Sequence, residues 1–258
     1  MANPALSNNP AFRQNAVSPA QLDELYGRPS ATAAETGRMT YEDTAVKTVV
    51  LFAVLLATGA VGWIFPPLAF VGAIVGFVLA LVNTFKREPS VPLIVAYAAF
   101  EGLFIGGISS IFQSFYGGVV VQAVLATLVT TGVTLALFAS GKIRASARAT
   151  KIFLIAMVGY LVFSLVNLGL VAFGVVQSPF GLRSATIAGI PLGVIIGVLV
   201  VLMAAYALVL DFDQIQQGVR RGIPAKYGWT GAFGLMVTIV WLYVEFLRIF
   251  ALLSGRNN

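Results

Sequence analysis

The sequence has no cysteine and no histidine in its 258 residues. The first absence excludes disulfides, thiolate metal centres and cysteine nucleophiles together, without assigning a compartment. The second removes the side chain that ordinarily titrates nearest neutrality. Any proton sensing near pH 7 therefore falls to carboxylates whose titration is displaced by their surroundings. Charge is scarce as well: Asp, Glu, Lys and Arg make up 10% of the chain and hydrophobic residues 59%, where soluble domains carry about 25% charge. With a mean hydropathy of +0.92, the composition is that of an integral membrane protein.

The apolar runs are long, roughly 18 to 26 residues, which fits the length of helix needed to cross a hydrocarbon core. An outer-membrane barrel would show alternation over about ten residues instead. The chain therefore reads as an all-α, polytopic bundle of seven transmembrane helices, with spans at 46–64, 68–85, 91–115, 119–140, 152–176, 185–213 and 229–253. Pro66-Pro67 separates the first two spans, Pro92 occupies the first turn of the third, and Pro191 predicts a kink near the start of the sixth. Residues 1–45 are rich in Asn, Pro, Ala and Ser and show no helical apolar stripe, so they read as a disordered tail ahead of a membrane domain at 46–258. The first apolar run starts too late for the core of a cleavable signal peptide, so no such segment is expected.

Positive charge fixes the expected orientation. Arg13, Arg28, Arg38 and Lys47 precede or open the first span. Lys86 and Arg87 follow the second, Lys142, Arg144, Arg148 and Lys151 the fourth, and Arg220, Arg221 and Lys226 the sixth. The alternate loops hold only Arg183, and the C-terminus only Arg256. This places the N-terminus in the cytoplasm and the C-terminus outside. The net charge of +6 is thus a topology signal first and an attraction for anionic lipid second. No basic stripe alternates with aromatics, so no nucleic-acid partner is expected. Three glycine pairs spaced by four, Gly72/Gly76, Gly102/Gly106 and Gly193/Gly197, suit close helix packing and favour a compact bundle over a wide pore. No internal repeat of the transporter kind is evident, which disfavours an alternating-access carrier.

Against this background four acids stand out on the apolar spans: Glu101, Asp211, Asp213 and Glu245. An ionised acid at mid-membrane costs about 3 kcal/mol on insertion scales, so it is retained where it faces protein, water or a cation. Asp211 and Asp213 are two residues apart and point to opposite sides of a helix, so at most one of them meets a given partner. If the sixth and seventh spans are neighbours, that aspartate and Glu245 would share a proton and form a latch, or take up a hard cation when both are ionised. Depth opposes this pairing, because Glu245 lies about 24 Å along the helix from Trp229. The alternatives are an ion pair of Glu245 with Arg248, three residues on, and a solvated helix end for the aspartates beside Arg220 and Arg221. Glu101 has no basic residue nearby in its own span and sits near mid-membrane, a candidate pore or ion site.

The acid-rich end of span six with Gln-Ile after it (Asp211-Phe-Asp213-Gln214-Ile215), the run from Leu242 through Glu245 to Phe250, and six firm spans with a semi-hydrophobic seventh resemble the transmembrane Bax inhibitor motif family in its bacterial branch. The resemblance implies a pH-sensitive calcium leak of the cell membrane, with Asp211 or Asp213 and Glu245 as pH sensor and closing latch. The sequence differs from the family in having Glu on span seven, a longer link between the motifs and a duplicated aspartate. The family also suggests a second reading, a non-transporting stress or quality-control modulator that binds a membrane protease or another membrane complex. An enzyme is not expected: a membrane aspartyl protease needs a Gly-x-Gly-Asp turn that the chain lacks, and Ser109 and Ser110 have no base nearby in sequence. No cofactor and no certain metal site are expected.

Overall fold

A computed structural model describes residues 36–255. The disorder expected for the tail up to residue 35, and Arg256, lie outside the described residues. Within them seven helices follow in order: α1 Tyr41–Ile64, α2 Leu68–Phe85, α3 Val91–Phe115, α4 Val119–Ala139, α5 Ala147–Ala172, α6 Leu192–Arg221 and α7 Gly228–Ser254. All seven are long and apolar enough to cross a membrane, and the protein is a multi-pass membrane bundle.

Capping explains where the helices depart from the hydropathy reading. α1 starts five residues early because the Thr40 side chain accepts a hydrogen bond from the Asp43 amide at 3.0 Å, while Glu42 and Asp43 favour the positive end of the helix dipole. The residues just before it are pinned. The Met39 amide donates to the Ile223 carbonyl and the Ala225 amide to the Gly37 carbonyl, both at 2.8 Å. α5 likewise begins early, at a Ser146 cap that accepts from the Ala149 amide at 3.3 Å.

The sixth span shifts most. Its expected first residues form a two-stranded hairpin, β1 Thr186–Ile187 with β2 Ile190–Pro191, just after a 3₁₀ turn at Gly181–Ser184. Ala188 and Gly189 make the turn with positive φ. Pro191 is therefore the residue before α6 and not a kink within it. Short apolar runs read alike as strand or helix, which is why periodicity missed the hairpin. At the other end α6 continues past Asp213 to Arg221 and stops at Gly222, whose φ of 63° suits the left-handed capping position.

The basic loops gather at one end of the bundle. Lys226 pairs with Glu88 at 3.1 Å, joining the α6–α7 and α2–α3 loops, and Arg144 of the α4–α5 loop reaches Gln216 near the end of α6 at 3.4 Å. α7 runs through the middle, with buried residues along its whole length. α5 is its opposite, with no buried residue at all.

All three glycine pairs are packing seams. Gly102 and Gly106 of α3 lie against Leu55, Thr58 and Gly59 of α1, Gly72 and Gly76 of α2 against Phe100, Glu101 and Phe104 of α3, and Gly193 and Gly197 of α6 against Leu252 and Ile249 of α7. A Cβ at Gly106 would overlap the Gly59 carbonyl, whereas one at Gly132 on α4 would meet nothing within 4 Å. Gly106→Val is therefore expected to destabilise the detergent-solubilised protein by about 1–3 kcal/mol, as overpacking does. A thermal melt should show a drop of several degrees for it and little change for Gly132→Val.

Candidate functional site

α6 and α7 pack antiparallel. Ile215 lies beside Gly231 near the basic end, and Gly193 beside Leu252 at the far end. Their seam holds two of the four acids. Asp211 accepts a hydrogen bond from the Thr238 hydroxyl at 2.6 Å, and Gly234 leaves room for it, since a Cβ there would stand 3.3 Å from Asp211 Oδ1. Asp213 turns away, as a rotation of about 200° requires, and accepts from the Gln217 amide at 2.6 Å. Gln217 in turn accepts from Arg221 at 3.1 Å. Of the two aspartates, Asp211 is the one set against α7.

Asp211 also faces a cavity of about 350 Å³ whose walls include Gln214, Thr230, Asn83, Lys86 and Arg87. With two cationic residues of the α2–α3 loop in its lining, this vestibule lies at the basic end. Polar and charged side chains form part of its lining and it is large enough for several waters, so the Asp211 carboxylate borders a space that can hydrate it as well as a protein donor.

Glu245 occupies a different setting. It is 1% exposed. Its Oε2 accepts from Arg248 Nη1 at 2.6 Å and from the Tyr160 hydroxyl of α5 at 3.0 Å; Arg248 also donates to that hydroxyl at 3.0 Å. Glu245 Oε1 is buried without a partner, next to Gly197, where a Cβ would come within 3.3 Å. A second cation completes the cluster. Arg183, 5% exposed, lies over the rings of Tyr160 and Phe163 at 5.3 and 5.4 Å and donates to Ser164 at 3.0 Å.

The structure does not bring Asp211 and Glu245 together, nor Asp213 and Glu245. Thr238, the partner of Asp211, precedes Glu245 by seven residues, about 10 Å along α7. Gly197, which faces Glu245, precedes Asp211 by fourteen, about 21 Å along α6. The cause is the depth noted from sequence: α7 starts at Gly228 at the basic end, so Glu245 lies about 25 Å from that end, deeper than Asp211. Buried Ala204, Leu208 and Leu242, each 0% exposed, belong to the apolar cluster that fills the seam between the two acids. The ion pair with Arg248 is the arrangement that Glu245 adopts.

Glu101, with no basic residue in its span, finds a hydroxyl partner in its own helix. The Tyr97 hydroxyl, one turn earlier, interacts with its carboxylate, and on the α2 side Gly76 leaves space beside Glu101 Oε2. The Tyr97 ring packs edge-on against Phe233 at 5.1 Å, and Ser109 bonds Tyr243 at 2.6 Å. α3 and α7 thus run parallel, with Glu101 level with the turn of α7 that Asp211 touches. Among the described residues no group of three or more acids could hold a metal ion.

The chain matches the family described as Bax inhibitor 1 like over residues 3–255. It belongs to that family. No curated protein matches it.

In this Bax inhibitor-like protein, sequence reasoning missed Thr238, Tyr160 and Arg183. For the first two no signal existed, because a hydroxyl on a membrane helix is common and its partner lies on another helix. Arg183 did carry one: it is the only cation in the alternate loops, and a lone charge there asks for a local reason. Removing one partner of a buried ion pair leaves the other uncompensated, a loss of about 3–5 kcal/mol. Arg248→Met should therefore lower the melting temperature markedly, and adding Glu245→Gln should recover most of the loss. Additive losses in a double-mutant cycle would mean that the two side chains are not coupled.

Proposed function

We propose that the protein is a non-enzymatic, pH-sensitive leak for cations, calcium foremost, in the plasma membrane, with the α6–α7 seam as its gate. The observation that carries this is the placing of two carboxylates at different depths in one seam, with a dry apolar plug between them. On the positive-inside assignment the basic end is cytoplasmic, and the vestibule before Asp211 opens there. Carboxylate, hydroxyl and amide oxygens are suitable ligands for a hard cation, and Asp211, Gln214 and Thr230 offer them in the vestibule lining. Asp211 is the cytoplasmic station, the plug at Ala204, Leu208 and Leu242 is the barrier, and Glu245 is the far station. The described conformation is the closed one.

Glu245 also serves as the proton-operated lock. Ionised, it holds Arg248 on its own helix and ties α7 to α5 through the bond it accepts from Tyr160, charge-assisted bonds that are about twice as strong as neutral ones. A proton on Glu245 removes that charge and frees Arg248 and Tyr160, so α5 releases α7 beside the seam and the leak rises as pH falls. Glu245→Gln imitates the protonated form. Asp211→Asn removes the charge that draws cations to the vestibule.

In liposomes loaded with a calcium dye and stepped between pH 8 and 6, wild-type flux should rise severalfold on acidification. Glu245→Gln should give high flux that no longer depends on pH, and Asp211→Asn should lower flux severalfold at every pH. Equal pH dependence in all three proteins would rule out the lock. A folded, reconstituted protein with no flux at any pH would favour the second reading, a modulator that acts by binding a membrane protease or other membrane complex.

A further inference from the structure

α5 stands apart from α6 along most of its length. Near the basic end the two are joined by the Tyr206 hydroxyl, which bonds Thr150 at 2.9 Å and Ser146 at 3.2 Å. Farther along, α5 is held through Tyr160 to Glu245 and Arg248 of α7 and through Ser164 to Arg183. Between these clasps runs a slot of about 580 Å³, walled by Ile152, Phe153, Ala156 and Gly159 of α5 and by Ile196, Leu199 and Met203 of α6. Its lining runs from Ala149 to Phe163, about 21 Å of helix.

A gap of this size does not stay empty, because its walls would forfeit their dispersion contacts. Its lining decides the occupant. The walls are apolar but for the tyrosine hydroxyls at 160 and 206, so water is not held there. A helix from another copy does not fit either: a cylinder about 10 Å across would need roughly 1,600 Å³ over that length. An acyl chain fits, since one leaflet of the hydrocarbon core is about 15 Å deep.

The charge at the slot's basic end selects the headgroup. The loop before α5 and its first turns carry Lys142, Arg144, Arg148 and Lys151, and there is no acidic residue between Glu101 and Asp211 in the sequence. Among the described residues none of these four cations has a carboxylate partner. Arg144 rests on the Phe138 ring and on Gln216. Such a cluster at a membrane surface attracts anionic lipid. We propose that one anionic phospholipid binds here, with an acyl chain in the α5–α6 slot and its phosphate at the α4–α5 loop and the first turns of α5. Neither this slot nor a second one of about 540 Å³ along α1 and α4 has a cation in its wall, but the α5–α6 slot reaches Ala149, beside Arg148, whereas no residue walling the second slot adjoins a Lys or Arg in sequence. The second slot offers nothing to distinguish one headgroup from another.

The test is native mass spectrometry of the full chain, released from micelles doped with phosphatidylglycerol or with phosphatidylcholine of the same chains. One phosphatidylglycerol should be retained, with a preference of roughly tenfold over phosphatidylcholine. Gly159→Phe should abolish that retention by filling the slot; space is open there, as a Cβ at Gly159 meets nothing within 4 Å. Arg148→Gln with Lys151→Gln, both at exposed positions, should reduce the preference severalfold while leaving the melting temperature unchanged. Equal retention of the two lipids in the wild type overturns the proposal. So does undiminished preference in either variant.

Discussion

A carboxylate inside hydrocarbon has to be met by a donor, a cation or water, and the way these helices answer that demand organises the bundle. Glu245 is met by Arg248 on its own helix and by Tyr160 from α5. Asp211 is met by Thr238 of α7 and by the vestibule. Glu101 is met by Tyr97, whose ring leans on Phe233 of α7. Each answer involves α7 or a group packed on it. The helix that carries an acid in its interior is thus also the most shielded from lipid. Burial of α7 and retention of charge are one requirement seen from two sides.

Glycine makes that burial affordable in space. A central helix surrounded by four neighbours needs those neighbours to approach one another closely, and α3 reaches α1 and α2 through small residues at Gly102, Gly106, Gly72 and Gly76. The same device on α6, Gly193 and Gly197, lets Ile249, Leu252 and the Glu245 carboxylate lie flush against its backbone. The acid seam and the packing seam are consequently the same surface. A lipid bilayer supplies no hydrophobic drive between helices, so this close contact carries the association.

Much of the architecture was legible because hydropathy and helix length are coupled by the thickness of the membrane. Seven spans, the basic loops and the three glycine seams follow from that coupling. The α2 and α3 boundaries match to the residue. What escaped was local or long-range. The Thr40 and Ser146 caps moved two helix starts, and the hairpin at 186–191 took residues that are as apolar as a helix. In the site, the choice of Asp211 over Asp213 needed the packing of α6 on α7, which no spacing reveals. The separation of Asp211 from Glu245 was the exception: counting residues from Trp229 already placed Glu245 too deep, and the distance along the helix outweighed the attraction of pairing two acids.

The far cluster shows why α5 is held so differently from the rest. Arg248 pairs with Glu245, while the buried Arg183 has no carboxylate partner among the described residues and lies over the faces of Tyr160 and Phe163, an interaction that strengthens as water is excluded. Both rings belong to α5, a helix with no buried residue. α5 is therefore attached by polar clasps at Tyr206, Tyr160, Ser164 and Asn167, whereas α1, α2 and α3 are joined by continuous backbone contact. Segments with few buried apolar contacts open at lower free energy than packed ones. The bundle thus has a rigid side, locked by glycine, and a compliant side whose attachment passes through the hydroxyl that holds Glu245. A change of charge on Glu245 is transmitted first to the helix least able to resist it.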